Sequence, residues 1–187
     1  MYTNSAEVKR YLGIAASTDD ALLGELIASA QSWLEGRTGR VFEASADGTR
    51  YVSMAYVDGC TLRLPWDLCA ITSVTSGGAT VASTQYVTRP RYATPYYALE
   101  LRETSAYTWT YATDPEDAVA IVGKWAYSVT APKDIAQATK RLVGYLYRQK
   151  DAQVFDVTAQ LDMGGITLPQ GFPADVRQLI ARYGGML

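Results

Sequence analysis

Apolar positions change their spacing three times along the chain, and each change marks a different kind of element. Near the start, Val8, Tyr11 and Leu12 follow the pair Asn4 and Glu7, whose spacing fits a capping box, and Gly13 stops the run; this predicts a short helix over 4–12. A second helix is predicted over 18–36, with Thr18 as its cap and Asp19 and Asp20 in the first turn, where the positive end of the helix dipole favours acid. Its apolar residues Leu22, Leu23, Leu26, Ile27, Ala30, Trp33 and Leu34 recur every three or four positions, which places them on one buried face. Gly36 and Gly39 are the candidate stops.

From about 41 to 128 the period shortens to that of strands, with β-branched and aromatic runs divided by turn residues. Asp58-Gly59 in "YVDGCTLRL" and Gly77-Gly78 in "SVTSGGATV" read as tight hairpins that need positive φ. Pro65 in "LPWD" interrupts its run, because proline has no N–H to give a ladder. Further strands are expected near 84–87, 97–102, 107–111 and 118–125, with "TRPRYATPYY" as a loop. The helical period returns over 132–151: Pro132 suits a first turn, Asp134 complements the dipole, and Ile135, Ala138, Leu142, Val143 and Leu146 form the inner stripe. Residues 156–187 then lack a regular period until Pro173 opens a last short helix over about 173–183, which Gly184 closes.

The fold class is therefore α+β: a small helical bundle with a β-sheet insertion between helices, and a C-terminal arm ending in a short helix. Residues 1–155 read as a single domain and 156–187 as the arm. The predicted helical core is Leu22, Leu26, Ile27, Trp33, Ile135, Leu142 and Leu146. Val176, Leu179, Ile180 and Tyr183 give the last helix an apolar face, and a helix that short must dock somewhere, either back on its own core or on a partner.

Composition acts mainly by exclusion. With 48% hydrophobic and 19% charged residues in 187, the chain is globular and not disordered. A net charge of −2 carries no global field that would advertise nucleic acid, although base outnumbers acid 7 to 5 over 131–187 where acid leads 14 to 10 over 1–130. Neither an apolar leader nor a run long enough to span a membrane is visible, so a cytosolic product is expected, with no membrane partner. Cys60 and Cys69 lack a CxxC spacing and read as thiols of a reduced protein.

The absence of histidine removes the usual triads, the histidine zinc sites and a histidine general base. Asp114, Glu116 and Asp117 in "TDPEDA" are the densest acids; they read as a solvated turn, with a calcium or carboxylate-catalytic site as the alternative. Neither "GRTGR" nor "GGAT" matches a phosphate-binding or dinucleotide loop. No cofactor and no metal are expected. Fourteen tyrosines and four tryptophans leave a second reading open, an aromatic carbohydrate-binding or other interaction module using Tyr92, Tyr96, Tyr97 and Trp109.

The ordered series "AEVKRYLGI", "TDDALLGELIASAQSWLEGRTGR", "LRLPWDLCAITSVTS", "QYVT", "VGKWAYSVTAPKDIAQATKRLVGYLYRQKD" and "LPQGFPADVRQLIARY" resembles the head-tail connector proteins of tailed bacteriophages, also called adaptor or head-completion proteins. The resemblance implies a structural virion component made in the bacterial cytoplasm and located in the neck. It would form a ring of about twelve copies below the portal protein, extend the DNA channel, and present a surface to a stopper or tail-completion protein. It also implies a portal-docking arm, carried here by Leu168, Pro169, Phe172, Val176, Leu179, Ile180 and Tyr183. Lys133, Lys140, Arg141, Arg148 and Lys150 are the candidates for neighbouring subunits or for transient, non-specific contact with double-stranded DNA through its phosphates.

Overall fold

Helix α1 (Ser5–Leu12) begins where the Asn4 side chain accepts the Glu7 backbone N–H at 2.9 Å, half of the expected capping box. A computed structural model of the protein describes residues 1–44, 46–152, 158–159, 166–167 and 173–184. Helix α2 (Asp20–Thr38) has Asp19 at its cap position in place of Thr18, and no side chain caps it. The Asp19 carboxylate is used elsewhere, accepting the Tyr147 hydroxyl at 2.5 Å. Of the two candidate stops, Gly39 ends α2, in the left-handed conformation at φ 67°, while Gly36 stays helical.

Helix α3 (Lys133–Ala152) starts with Asp134 accepting the N–H of Ile135, and α4 (Ala174–Tyr183) follows Pro173. Met1–Gly39 and Pro132–Leu187 form one compact unit, and Arg40–Ala131 forms a second. The helical unit closes around Val8, Leu23, Ile27, Ala30, Leu34, Ala138, Leu142, Val143 and Val176, with Leu26, Trp33, Leu179 and Ile180 partly buried against them. Ile135 is fully buried, whereas Leu22 and Leu146 are only half-buried, at the margin of the face their spacing defined. Val143 and Gly144 lie where α1 comes close: a Cβ at Gly144 would stand 3.0 Å from Leu12 Cδ2.

Among its described residues the inserted unit holds eight strands in two antiparallel sheets. They are β1 (Gly48–Val52), β2 (Val57–Asp58), β3 (Thr61–Leu68), β4 (Ala70–Ser76), β5 (Ala79–Thr80), β6 (Tyr86–Arg89), β7 (Tyr96–Leu101) and β8 (Val119–Lys124). One sheet has the order β1-β8-β4-β5 and the other β2-β3-β7-β6, and residues of both fill a single core that includes Val52, Leu62, Leu68, Val74, Leu99 and Ile121. Both expected hairpins form. Gly77 and Gly78, at φ 56° and 81°, turn β4 into β5, and Gly59, at φ 58°, turns β2 into β3.

Two strand expectations are corrected. Strand β3 runs through Pro65 instead of stopping there, because its ladder to β7 shifts register between Arg63 and Leu68, where no proline N–H is needed. Residues 107–111 are not a strand. They are tied down by side chains: Trp109 Nε1 donates to the Cys60 carbonyl at 2.8 Å, and the Ser76 hydroxyl bridges both backbone groups of Thr110 at 3.0 Å.

The incoming and outgoing segments of this unit run side by side, joined by a parallel bridge between Glu43 and Ser128 and by the Tyr127 N–H donating to the Val41 carbonyl at 2.8 Å. A further antiparallel pair, β9 (Thr158–Ala159) with β10 (Ile166–Thr167), belongs to the helical unit.

Candidate functional site

The carboxylates of "TDPEDA" are all exposed, and Asp114 Oδ1 accepts the Glu116 N–H at 2.9 Å, a local turn bond that accounts for its presence. No group of three acidic, cysteine or histidine side chains able to hold a metal occurs among the described residues. A depression of about 290 Å³ lies between residues 43–50 and Trp125, and it is lined by both Glu43 and Arg50. Arg50 itself is held between two indoles, 4.8 Å from the Trp66 ring and 5.0 Å from Trp125, and burial lowers its pKa.

Of the aromatic residues proposed for sugar stacking, the tryptophan is taken up by the core. Trp109 is only 6% exposed and spends its N–H on Cys60, while Tyr92 is 91% exposed beside Arg91 and Tyr97 is 59% exposed. A stacking site needs open rings side by side, and here the one large ring is core. Arg89 pairs with Glu100 at 2.6 Å on the outer side of β6 and β7, a bond that lowers the Glu100 pKa.

The basic residues of α3 divide into two groups. Lys140 is occupied by Glu7 at 3.1 Å, and Arg141 by Asp175 at 2.6 Å. Lys133 and Arg148 are exposed and pair with no acid among the described residues, while the side chain of Lys150 lies outside them. Hydrogen bonds from Lys140 and then Thr3 hold the Glu7 carboxyl below the usual carboxylate range.

Of the seven arm residues, Leu168, Pro169 and Phe172 lie outside the described residues. The other four face their own unit: Val176 and Tyr183 are buried, Leu179 and Ile180 partly so. Tyr183 donates to Asp134 Oδ2 at 2.9 Å, and Arg182 approaches the same oxygen at 3.8 Å. The fold-back position, one of the two open alternatives, is thus the one α4 occupies in the single chain. Sequence reading missed the acids that hold it; Asp134 was noted only as a dipole partner, and its second oxygen carries the tyrosine.

The chain belongs to the head completion protein family, whose model matches residues 2–184. Its role is that of a head-tail adaptor, a structural one. No curated protein matches it.

Among solved structures, a chain in the neck of a native gene transfer agent particle computed with C12 symmetry shares the fold at TM-score 0.58 and 20% identity, covering 97% of this chain and 88% of that one. The neck of the empty particle, computed with C6 symmetry, gives 0.57 at 20% with the same coverage. The virion of the native particle gives 0.56 at 22%, covering 97% and 89%. No described helix is long and apolar enough to cross a membrane.

Proposed function

We propose that the chain assembles as a ring of about twelve copies in the virion neck, below the portal, where it lengthens the DNA channel and presents a surface to a stopper or tail-completion protein. The observation that carries this reading is family membership over residues 2–184 together with a fold shared, over nearly the whole chain, with a neck component of a particle of rotational symmetry. The protein acts without catalysis, by geometry alone. A ring subunit must offer two unlike faces to its two neighbours, and a chain built of two units has two unlike surfaces to offer.

Residues 1–155 serve as the adaptor body and 156–187 as the arm. Leu168, Pro169 and Phe172 make the portal contact, and α4 anchors the end of the arm on a helical unit. Lys133 and Arg148, uncommitted among the described residues, meet passing duplex through its phosphates, weakly enough for the duplex to slide.

The test is electron microscopy of purified particles in which this protein carries a small label. A ring of label at the neck is the expected image, and a label elsewhere or absent from complete particles rejects the reading. Changing Leu168 and Phe172 to Asp should leave the subunit folded and remove it from the neck.

A further inference from the structure

Arg50 of β1 is half-buried, yet its guanidinium meets no carboxylate and no hydrogen-bond acceptor among the described residues. Arg40, half-buried as well, has what such a group ordinarily needs: it donates to both oxygens of Asp67, at 3.2 and 3.1 Å. Arg50 lies instead in the corner of two indoles set at 89° to one another, Trp66 at 4.8 Å and Trp125 at 5.0 Å. The corner is fixed, because Trp125 Nε1 donates to the Gly48 carbonyl at 2.9 Å. No buried side-chain nitrogen lacks a partner among the described residues, so the unspent N–H groups of Arg50 are open to solvent.

A planar cation held in place with its donors unspent suits a carboxylate, which can accept two parallel N–H bonds from it. With Glu43 and Asp47 also lining the depression, a single carboxylate fits it better than the run of phosphates on a duplex.

The same unit carries acids that match. Asp114, Glu116 and Asp117 are exposed on one turn and pair with no cation among the described residues. They do not reach Arg50 of their own chain, because the turn sits at the other end of the β1–β8 ladder. Val52 pairs with Val119 there and the Met54 N–H donates to the Pro115 carbonyl at 2.8 Å, whereas the depression lies at the Gly48–Gly123 end. The four strand steps from Gly48 to Val52 span about 13 Å. An acidic turn and an arginine socket at opposite ends of one ladder are two unlike, complementary faces, the requirement for a head-to-tail contact that closes by rotation.

We propose that in the assembled ring this acidic turn of each copy seats in the Arg50 depression of the next, where one carboxylate takes the free guanidinium N–H groups beside the two indoles. This rests on the ring reading above and names the contact that joins its subunits. Trp66, exposed in the single chain, is covered by the same docking. One such contact is weak between free subunits; in a closed ring every junction is held in register by the others.

The test uses the full chain with Cys60→Ser, Ala46→Cys and Thr113→Cys, which removes the exposed thiol and places one cysteine beside the depression and one beside the turn. Assembled into particles and treated with a short bismaleimide, it should give a ladder of covalent multimers, and the free subunit should give none. Dimers alone, or no multimers from necks that hold several copies, overturn the contact and leave the ring reading standing. Wild-type protein that enters particles as a single copy overturns both.

Charge reversal tests the arginine itself. Arg50→Glu alone, or Glu116→Lys with Asp117→Lys alone, should lower incorporation into necks by about tenfold or more, because like charges then face each other. The chain carrying all three changes should recover it, which a purely structural role of Arg50 would not produce. The turn variant changes only exposed side chains and touches neither indole, so it decides the matter even if Arg50→Glu fails to fold. Unchanged incorporation of the turn variant, or no recovery in a combined chain whose urea midpoint matches the wild type, overturns the contact.

Discussion

Tyr183 and Asp134, 49 residues apart, are joined by a 2.9 Å hydrogen bond that ties the last turn of α4 to the first turn of α3. The other oxygen of the same carboxylate accepts the Ile135 N–H at 2.9 Å, so one side chain serves two helix ends. Tyr183→Phe removes one bond and keeps the buried ring, and it should cost about 1 kcal/mol. Asp134→Ala removes both bonds and should cost more. Hydrogen exchange resolves the two cases: the tyrosine change should speed exchange in α4 alone, and the aspartate change in α4 and the start of α3. Equal protection of α4 in all three proteins would show that the bond does not hold the helix.

Gly123 in β8 is required by a close approach. A Cβ there would stand 2.2 Å from the Ala70 carbonyl oxygen, where β8 pairs with β4, and backbone cannot yield as a side chain does. Gly123→Ala should therefore destabilise the inserted unit by about 2 kcal/mol or more. Urea unfolding followed by tryptophan fluorescence measures it, and an unchanged midpoint would refute the steric argument.

Glu7 gives the helical unit a specific acid sensitivity. Its carboxyl is held below the ordinary range by hydrogen bonds from Lys140 and Thr3 and by the Lys140 charge. A carboxyl whose pKa is lowered on folding stabilises the fold above its unfolded pKa, and that stability fades as pH falls through the folded value. The anchoring of α1 to α3 should thus weaken below the ordinary carboxylate range. Lys140→Met should raise the Glu7 midpoint seen by carboxyl NMR and flatten this part of the stability profile; a midpoint that does not move would mean that Lys140 is not the cause.

The helices were legible because their cause is local. The 3.6 period of α2 and α3, Asn4 before α1 and Gly39 after α2 each act within a turn or two of sequence. The hairpin at Gly77-Gly78 was legible for the same reason. Long-range pairing was not: nothing near Tyr107 tells that Trp109 will spend its N–H on Cys60, 49 residues away, in place of a ladder. Strand β1 escaped notice as a separate element because its partner, β8, begins 71 residues after Gly48 in "VAIVGK". For α4 the apolar face announced burial, but a stripe states only that something covers it. Asp134, which holds Tyr183, looked like an ordinary dipole partner, and Asp175, which pairs with Arg141, was not singled out.

The side-by-side course of residues 41–44 and 126–128 bears on how such a protein changes over generations. Glu43 and Ser128, 85 residues apart in sequence, meet at a bridge, so the insertion leaves and returns at neighbouring points. A short linker could replace all of Arg40–Ala131, and a different double sheet could be spliced in at the same two points. The helices would keep their own core in either case, since its residues come only from the flanking segments. A lineage can thus exchange one cassette while the helical portion is inherited intact.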